Sequence, residues 1–305
     1  MKHMGKFIRT VVVLFPLWGL WGCETVIDAN IPSASNQLVV NAWLTDQPGE
    51  QTITLTQSTN YFDNNVPAPA LSASVTVGDN TGRTFSFTDP DNNGTYTWKP
   101  TSTRDTTKLG IIGRTYGLTV QYQGENYVAA AQMPRTPTID SLTFTKTQIN
   151  PVSSEMGYRA QFYATDIAGA VDYYYIRFYR NNKIQVRAQD IVLAFNGAFR
   201  GGANTDGLMF IRPIRQSINP EKLYALDDSV RVEMRAITVD GYAYWAGLKA
   251  QLQNAGLFAA PPANVPTNVR NRNATGKTAV GFFLVSPVRT RTATVTKENL
   301  RGDGA

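Results

Sequence analysis

The chain has 305 residues, 42% of them hydrophobic and 17% charged, with 24 Gly and 16 Pro. That length exceeds one ordinary domain, and that composition excludes a disordered tail, a coiled coil and a multispan membrane protein. The formal charge of +6 comes from 29 Lys and Arg against 23 Asp and Glu, and the chain has one histidine, His3, and one cysteine, Cys23.

Residues 1–22 open with Lys2, Lys6 and Arg9, continue as an apolar run from Val11 to Leu20, and end at Trp21-Gly22 before Cys23. This is the order of a secretory leader, and the apolar run is about half of the roughly 20 residues a spanning helix needs. Gly22 directly before Cys23 matches a bacterial lipobox, so Cys23 is the expected lipidation site and the membrane an expected partner through that anchor. Loss of the leader removes three basic residues and leaves a mature charge of +3. The remaining cations are dispersed, so nucleic acid is not an expected partner.

Residues 23–36, with Pro32 and small polar side chains, read as anchor and spacer. From Gln37 the apolar residues alternate with polar ones, predicting strands at 38–44, 51–57, 73–77, 84–88, 94–98, 116–122 and 127–131. The strands 84–88 and 94–98 flank a turn-rich Asp89-Pro90-Asp91-Asn92-Asn93 as a hairpin, and 116–122 and 127–131 make another. Pro134 and Pro137 remove amide donors and mark a boundary near 135. Further strands are predicted at 140–146, 159–163, 173–179, 184–187, 229–238 and 279–285. One helix is predicted over 243–255, with Trp245, Leu248 and Leu252 at helical spacing and Gly256 as its stop. The expected architecture is all-β: two β-sandwich domains of Ig-like or related kind, 37–135 and 136–298, the second with the helical insert, then a flexible tail 299–305.

Several short patterns follow one another in a recognisable order. They run from Cys23 with Ile27-Asp28 and Pro32, through Leu38-Val39-Val40, Leu44-Thr45 and Tyr61-Phe62, to Gly94-Thr95-Tyr96 and Gly113-Arg114-Thr115-Tyr116. Ile139-Asp140-Ser141-Leu142 and Tyr173-Tyr174 come next, and Pro262-Ala263-Asn264-Val265, Thr267-Asn268-Val269 and Gly281-Phe282-Phe283 close the series. Taken in order they resemble a family of bacterial lipoproteins, found mainly in Bacteroidota, known as domain-of-unknown-function family 4249. Ala42 departs from the family pattern, where a glycine is expected, and Trp21 is an unusual lipobox residue. The resemblance implies an outer-membrane lipoprotein whose relatives are often encoded beside TonB-dependent receptors. It implies no reaction, and it leaves the membrane face open.

A mature chain without histidine cannot build a Ser-His-Asp or Cys-His site and lacks the commonest zinc ligands. No enzyme activity, resident metal or cofactor is therefore expected. Asp89 with Asp91, and Asp227 with Asp228, are the acid pairs glycoside hydrolysis would use, although adjacent acids in turns read more simply as solvated loop residues. Asp89, Asp91 and Asn93 also match the first half of a calcium loop, whose closing acid is replaced by Pro100. Asp105-Thr106-Thr107, Asp140-Ser141-Leu142 and Asp228-Ser229-Val230 resemble an acceptor motif for O-linked glycans, which makes Thr106, Ser141 and Ser229 candidate sites.

Tyr173, Tyr175, Arg177 and Tyr179 share one face of a predicted strand, and Tyr174, Ile176, Phe178 and Arg180 the other. Either face serves as core, and an exposed row of Tyr173, Tyr175 and Tyr179 would contact a sugar or a partner. Asn204 and Asp206, in a Gly-rich loop, are further expected contacts. The expected role is a non-catalytic accessory or ligand-handling partner of a TonB-dependent β-barrel receptor. A stand-alone surface adhesin or envelope scaffold is the alternative, and a carboxylate-only glycosidase a third.

Overall fold

The computed structural model describes residues 36–59, 65–101, 107–148, 152, 154–199, 204–254 and 264–301. The leader, Cys23, the spacer up to residue 35, Thr106 and residues 302–305 lie outside them. Among the described residues no helix is long and apolar enough to cross a membrane.

Strand β1 (Leu38–Thr45) buries Leu38, Val40, Ala42 and Leu44 and turns Val39, Asn41, Trp43 and Thr45 outward, the two-residue period of a half-buried strand. The same period runs through β2 (Gln51–Gln57), β3 (Ser74–Asp79), β4 (Thr84–Phe87), β5 (Thr95–Trp98), β6 (Thr115–Tyr122) and β7 (Glu125–Gln132). Strands β1, β2 and β5 hydrogen-bond in one sheet, and β7, β6, β3 and β4 in another. Inward residues of both, among them Val40, Leu55, Val77, Phe87, Tyr96 and Leu118, share one core.

The β6–β7 hairpin forms as expected, through a two-residue turn in which Gln123 and Gly124 take φ of 50° and 81°. The expected β4–β5 hairpin does not. Those strands lie in different sheets, joined only where Thr88 and Thr97 exchange backbone hydrogen bonds. Phe85 and Phe87 of β4 and Tyr96 of β5 all point into the shared core, so the turn between them carries the chain from one sheet to the other.

A second core is built from β8 (Ser141–Gln148) and β9 (Met156–Tyr163), paired with each other, and from a larger sheet. The larger sheet contains β10 (Tyr173–Arg180), β11 (Lys183–Ile184), β12 (Val192–Phe195) and β13 (Ser229–Ile237). Phe144, Phe162, Tyr174, Ile176, Phe178, Val232 and Met234 fill it, with a one-turn helix Arg212–Arg215 supplying Ile214.

The last strands depart from the expected partition. Strand β14 (Arg270–Asn271) pairs with β7, and β15 (Ala279–Ser286) runs parallel to β1 from Leu38↔Ala279 to Thr45↔Ser286. Residues 270–286, expected in the second domain, therefore complete the first core, where Phe283 and Val285 bury. Only after them does the chain return, as β16 (Val288–Thr294) beside β13. The physical reason is the free edge of β1, which carries β2 on one side only until β15 covers it. Asp46 fixes the crossing by accepting from the Val288 amide at 2.8 Å and from Arg289 Nη1 at 2.7 Å.

Residues 299–301, expected within the tail, instead join the second core. Residues Lys297–Asn299 form a short turn, Leu300 bridges to Phe144, and the Arg301 amide donates to the Phe144 carbonyl at 2.8 Å. The expected helix spans Val239–Gln253, earlier than predicted, because the Thr238 hydroxyl accepts from the Gly241 amide at 3.2 Å and so caps its start.

Asp79, at the end of β3, organises the turn into β4. Its carboxylate accepts from the Thr81 and Arg83 amides, from Arg83 Nε at 2.7 Å and from Arg114 Nη1 at 2.8 Å. Burial opposes its ionisation, but the hydrogen bonds from Thr81, Arg83 and Arg114 outweigh it and hold the carboxyl well below its ordinary range. A carboxyl with a depressed folded pKa stabilises the fold above its unfolded pKa, near 3.9, and loses that contribution as pH falls further. Asp79→Asn is therefore expected to cost about 2 kcal/mol at pH 7, with the gap to the wild type closing below about pH 4. Urea unfolding at both pH values checks this, and an unchanged gap at acid pH refutes it.

Candidate functional site

The outward face of the β10–β13–β16 sheet gathers the most chemistry. The register opposes Tyr173 to Ile237, Tyr175 to Arg235, Arg177 to Glu233 and Tyr179 to Arg231 across β10 and β13. Thr290 and Thr292 of β16 stand opposite Glu233 and Arg231. Tyr174, Ile176 and Phe178 are thus the core face of β10, and the Tyr173 row is the outer one.

One end of this outer face is covered. The helix Val239–Gln253 lays Tyr242 and Trp245 on it, and Trp43 reaches it from the outer side of β1. Ring centroids lie 5.0 Å apart for Trp43 and Tyr175, 4.7 Å for Tyr175 and Trp245, and 5.1 Å for Tyr173 and Tyr242. Tyr175 is consequently only 8% exposed.

The other end is a charge cluster. Glu233 Oε1 accepts from Arg177 Nε at 2.8 Å, from Arg177 Nη2 at 2.7 Å and from Arg235 Nε at 2.7 Å. The Tyr179 hydroxyl donates to Glu233 Oε2 at 3.3 Å. Burial works against the Glu233 charge, but the Arg235 and Arg177 guanidiniums hold its carboxyl below the usual range. Arg235 lies over the Trp43 ring at 4.5 Å, and Arg231 over the Tyr179 ring at 3.7 Å. Two guanidiniums thus share one carboxylate, while Arg231 sits over the neighbouring Tyr179 ring, and its buried Nε has no hydrogen-bond partner among the described residues.

A loop cluster occupies a separate place, at the Tyr173 end of β10. Arg135 donates to the Asp172 carboxylate at 2.7 Å and to the carbonyls of Ile167 and Ala168, pinning the 167–172 loop. Asp206 accepts from the Gly169 amide at 3.0 Å, and Asp166 accepts from the Tyr174 hydroxyl and the Gly207 amide. Burial pushes the Asp166 carboxyl up and also raises the Tyr174 hydroxyl. On this backbone Val171, Leu208 and Met209 are 53%, 54% and 48% exposed. A third feature is a groove of about 750 Å³ between Tyr244 and Leu248 of the helix and Val39, Val265, Asn271 and Thr278. Its described lining has Arg270 as its one charged side chain and no carboxylate.

The expected contact residues do not form one site. Asp206 belongs to the loop cluster and Asn204 is an exposed residue two positions before it, whereas Tyr179 lies at the far end of β10, about 20 Å away along the strand. The tyrosine row is also not a free platform, since Tyr175 lies under the helix and Tyr179 is 9% exposed beneath Arg231. Asp89 accepts from the amides of Asn93 and Gly94, and Asn93 from that of Thr95, so these oxygens already serve the turn. Asp228 is engaged by Arg180, Asn181 and the Ala225 amide. Ser141 and Ser229 are half-buried first residues of β8 and β13, while Cys23 and Thr106 lie outside the described residues.

Sequence reasoning passed over Arg231, Glu233 and Arg235. Their signal was present, as charged residues at every second position between Val230, Val232, Met234 and Ala236. A family model, domain of unknown function (DUF4249), matches residues 24–292, and the chain belongs to that family. No match was found among curated proteins.

Proposed function

We propose that this member of the DUF4249 family is a non-catalytic binding protein, held at the outer membrane through Cys23 and docked on a TonB-dependent β-barrel receptor whose ligand it helps to handle. In this reading the two cores are two β-sandwiches of Ig-like or related kind, displayed beyond a short anchor segment. The observation that carries it is the loop cluster around Arg135. Half-exposed Val171, Leu208 and Met209 sit there on a backbone already fixed by Arg135, Asp166 and Asp206. Apolar side chains on a preorganised loop lose little conformational entropy on docking, which favours a partner surface over a substrate cleft. The carboxylates of Asp79, Asp172, Asp228 and Glu233 are engaged by arginines, which fits binding better than acid-base chemistry.

The test is a mild-detergent pull-down of the natively expressed, C-terminally tagged chain, with mass spectrometry of its N-terminus and partners. A near one-to-one β-barrel receptor and an acylated Cys23 are expected. Leu208→Asp with Met209→Asp should lose the receptor while leaving acylation intact. Recovery of the chain alone under conditions that preserve receptor complexes would move the reading to adhesin or scaffold, and an unmodified Cys23 would remove the anchor.

A further inference from the structure

We infer that the uncovered end of the β10–β13–β16 face is a binding site for an oxyanion, a carboxylate or phosphate group of a ligand, with Arg231 as the residue that grips it. The site requires no partner chain, so it stands apart from the receptor reading.

The first argument is charge. Arg177, Arg231 and Arg235 share a face of the sheet with one carboxylate, and Glu233 is already committed to Arg177 and Arg235. Arg231 has no counter-ion among the described residues. Its guanidinium carbon lies 3.7 Å from the Tyr179 ring centre, no side-chain hydrogen bond engages it among the described residues, and its buried Nε is unpaired. Unpaired donors on a buried charged side chain are rare, and the Nη groups, which are neither buried nor hydrogen-bonded among the described residues, are the donors that a ligand reaches.

The second argument is shape and chemistry. A planar guanidinium fork matches a carboxylate or phosphate through two parallel hydrogen bonds, and an ammonium does not. Thr290 and Thr292, both exposed, stand opposite Glu233 and Arg231 and add hydroxyl donors beside the fork. Tyr179, Arg231 and Thr292 are on adjacent paired strands, so the site is set by sheet register and needs no loop closure.

The probes are inorganic phosphate and glucuronate, with glucose as the neutral control, titrated at low ionic strength into the full chain in mild detergent. Arginine Nε–H NMR signals and calorimetry give the readout. Saturable binding of at least one oxyanion, and none of glucose, is expected. Phosphate alone would identify a phosphorylated ligand, glucuronate alone an acidic sugar or other carboxylate. Arg231→Gln should weaken binding at least tenfold. Thr292→Glu should abolish it, because an internal carboxylate opposite Arg231 takes the ligand's place. That position is exposed, so this variant retains the fold even if Arg231→Gln does not. Absence of binding to either oxyanion below about 10 mM, or wild-type affinity in both variants, overturns the inference.

Discussion

Glu233→Gln is expected to destabilise the protein by about 3–5 kcal/mol at pH 7 while leaving the hydrophobic cores untouched. Glutamine keeps an oxygen that accepts from Arg177 and Arg235 but removes the carboxylate that these two guanidiniums share. Arg235 is the sensitive partner: its side chain is 11% exposed, and burial already lowers its pKa. Breaking a buried pair leaves an uncompensated charge, whereas replacing both members with apolar residues of similar volume removes the penalty. Glu233→Met combined with Arg235→Met should therefore recover most of the lost stability, although it deletes more polar contacts than the single change. The sign of the pH dependence follows from the depressed Glu233 pKa. Its contribution is complete above its unfolded value, about 4.3, and disappears as pH falls through the lower folded value. The gap between Glu233→Gln and the wild type should narrow in acid. Urea midpoints for the three proteins decide the matter, and a single-variant loss below about 1 kcal/mol would show that Glu233 does not hold the cluster together.

The same cluster shows what a sequence can and cannot reveal. Alternation in Ser229–Ile237 separates Arg231, Glu233 and Arg235 from Val230, Val232 and Met234, so their common face was readable. That Arg177 joins them is a matter of register between β10 and β13, which local alternation does not encode. In β10 both faces are aromatic, and the choice between them rests on a helix far along the chain that covers Tyr175. Turn chemistry had similar reach. Gln123-Gly124 specified a hairpin, but the equally turn-rich Asp89–Gly94 stretch joins strands of different sheets, because Phe87 and Tyr96 must enter one core from opposite sides. Alternation likewise marked 279–285 as a strand. Nothing local said that it would pair parallel with β1 at the other end of the chain.

That parallel pairing makes Gly281→Ala the second large effect, with an expected loss of more than about 3 kcal/mol. Gly281 adopts φ of +93° inside β15, where L side chains are disfavoured. Backbone conformation is the smaller part of the argument. A Cβ at this position would lie 2.1 Å from the Val40 carbonyl oxygen and 2.9 Å from the Val40 nitrogen. Val40 is fully buried in β1, which is held between β2 and β15, so its backbone cannot yield without breaking the ladder on both sides. Gly124→Ala separates the two causes. Gly124 also has positive φ, +81°, but no atom lies within 4 Å of its added Cβ, so its expected cost is the conformational one of about 1 kcal/mol. Denaturant unfolding of both variants should therefore differ by roughly 2 kcal/mol or more. Equal losses would mean that β15 does not approach β1 at Val40, and the assignment of residues 279–286 to the first sheet would fall with it.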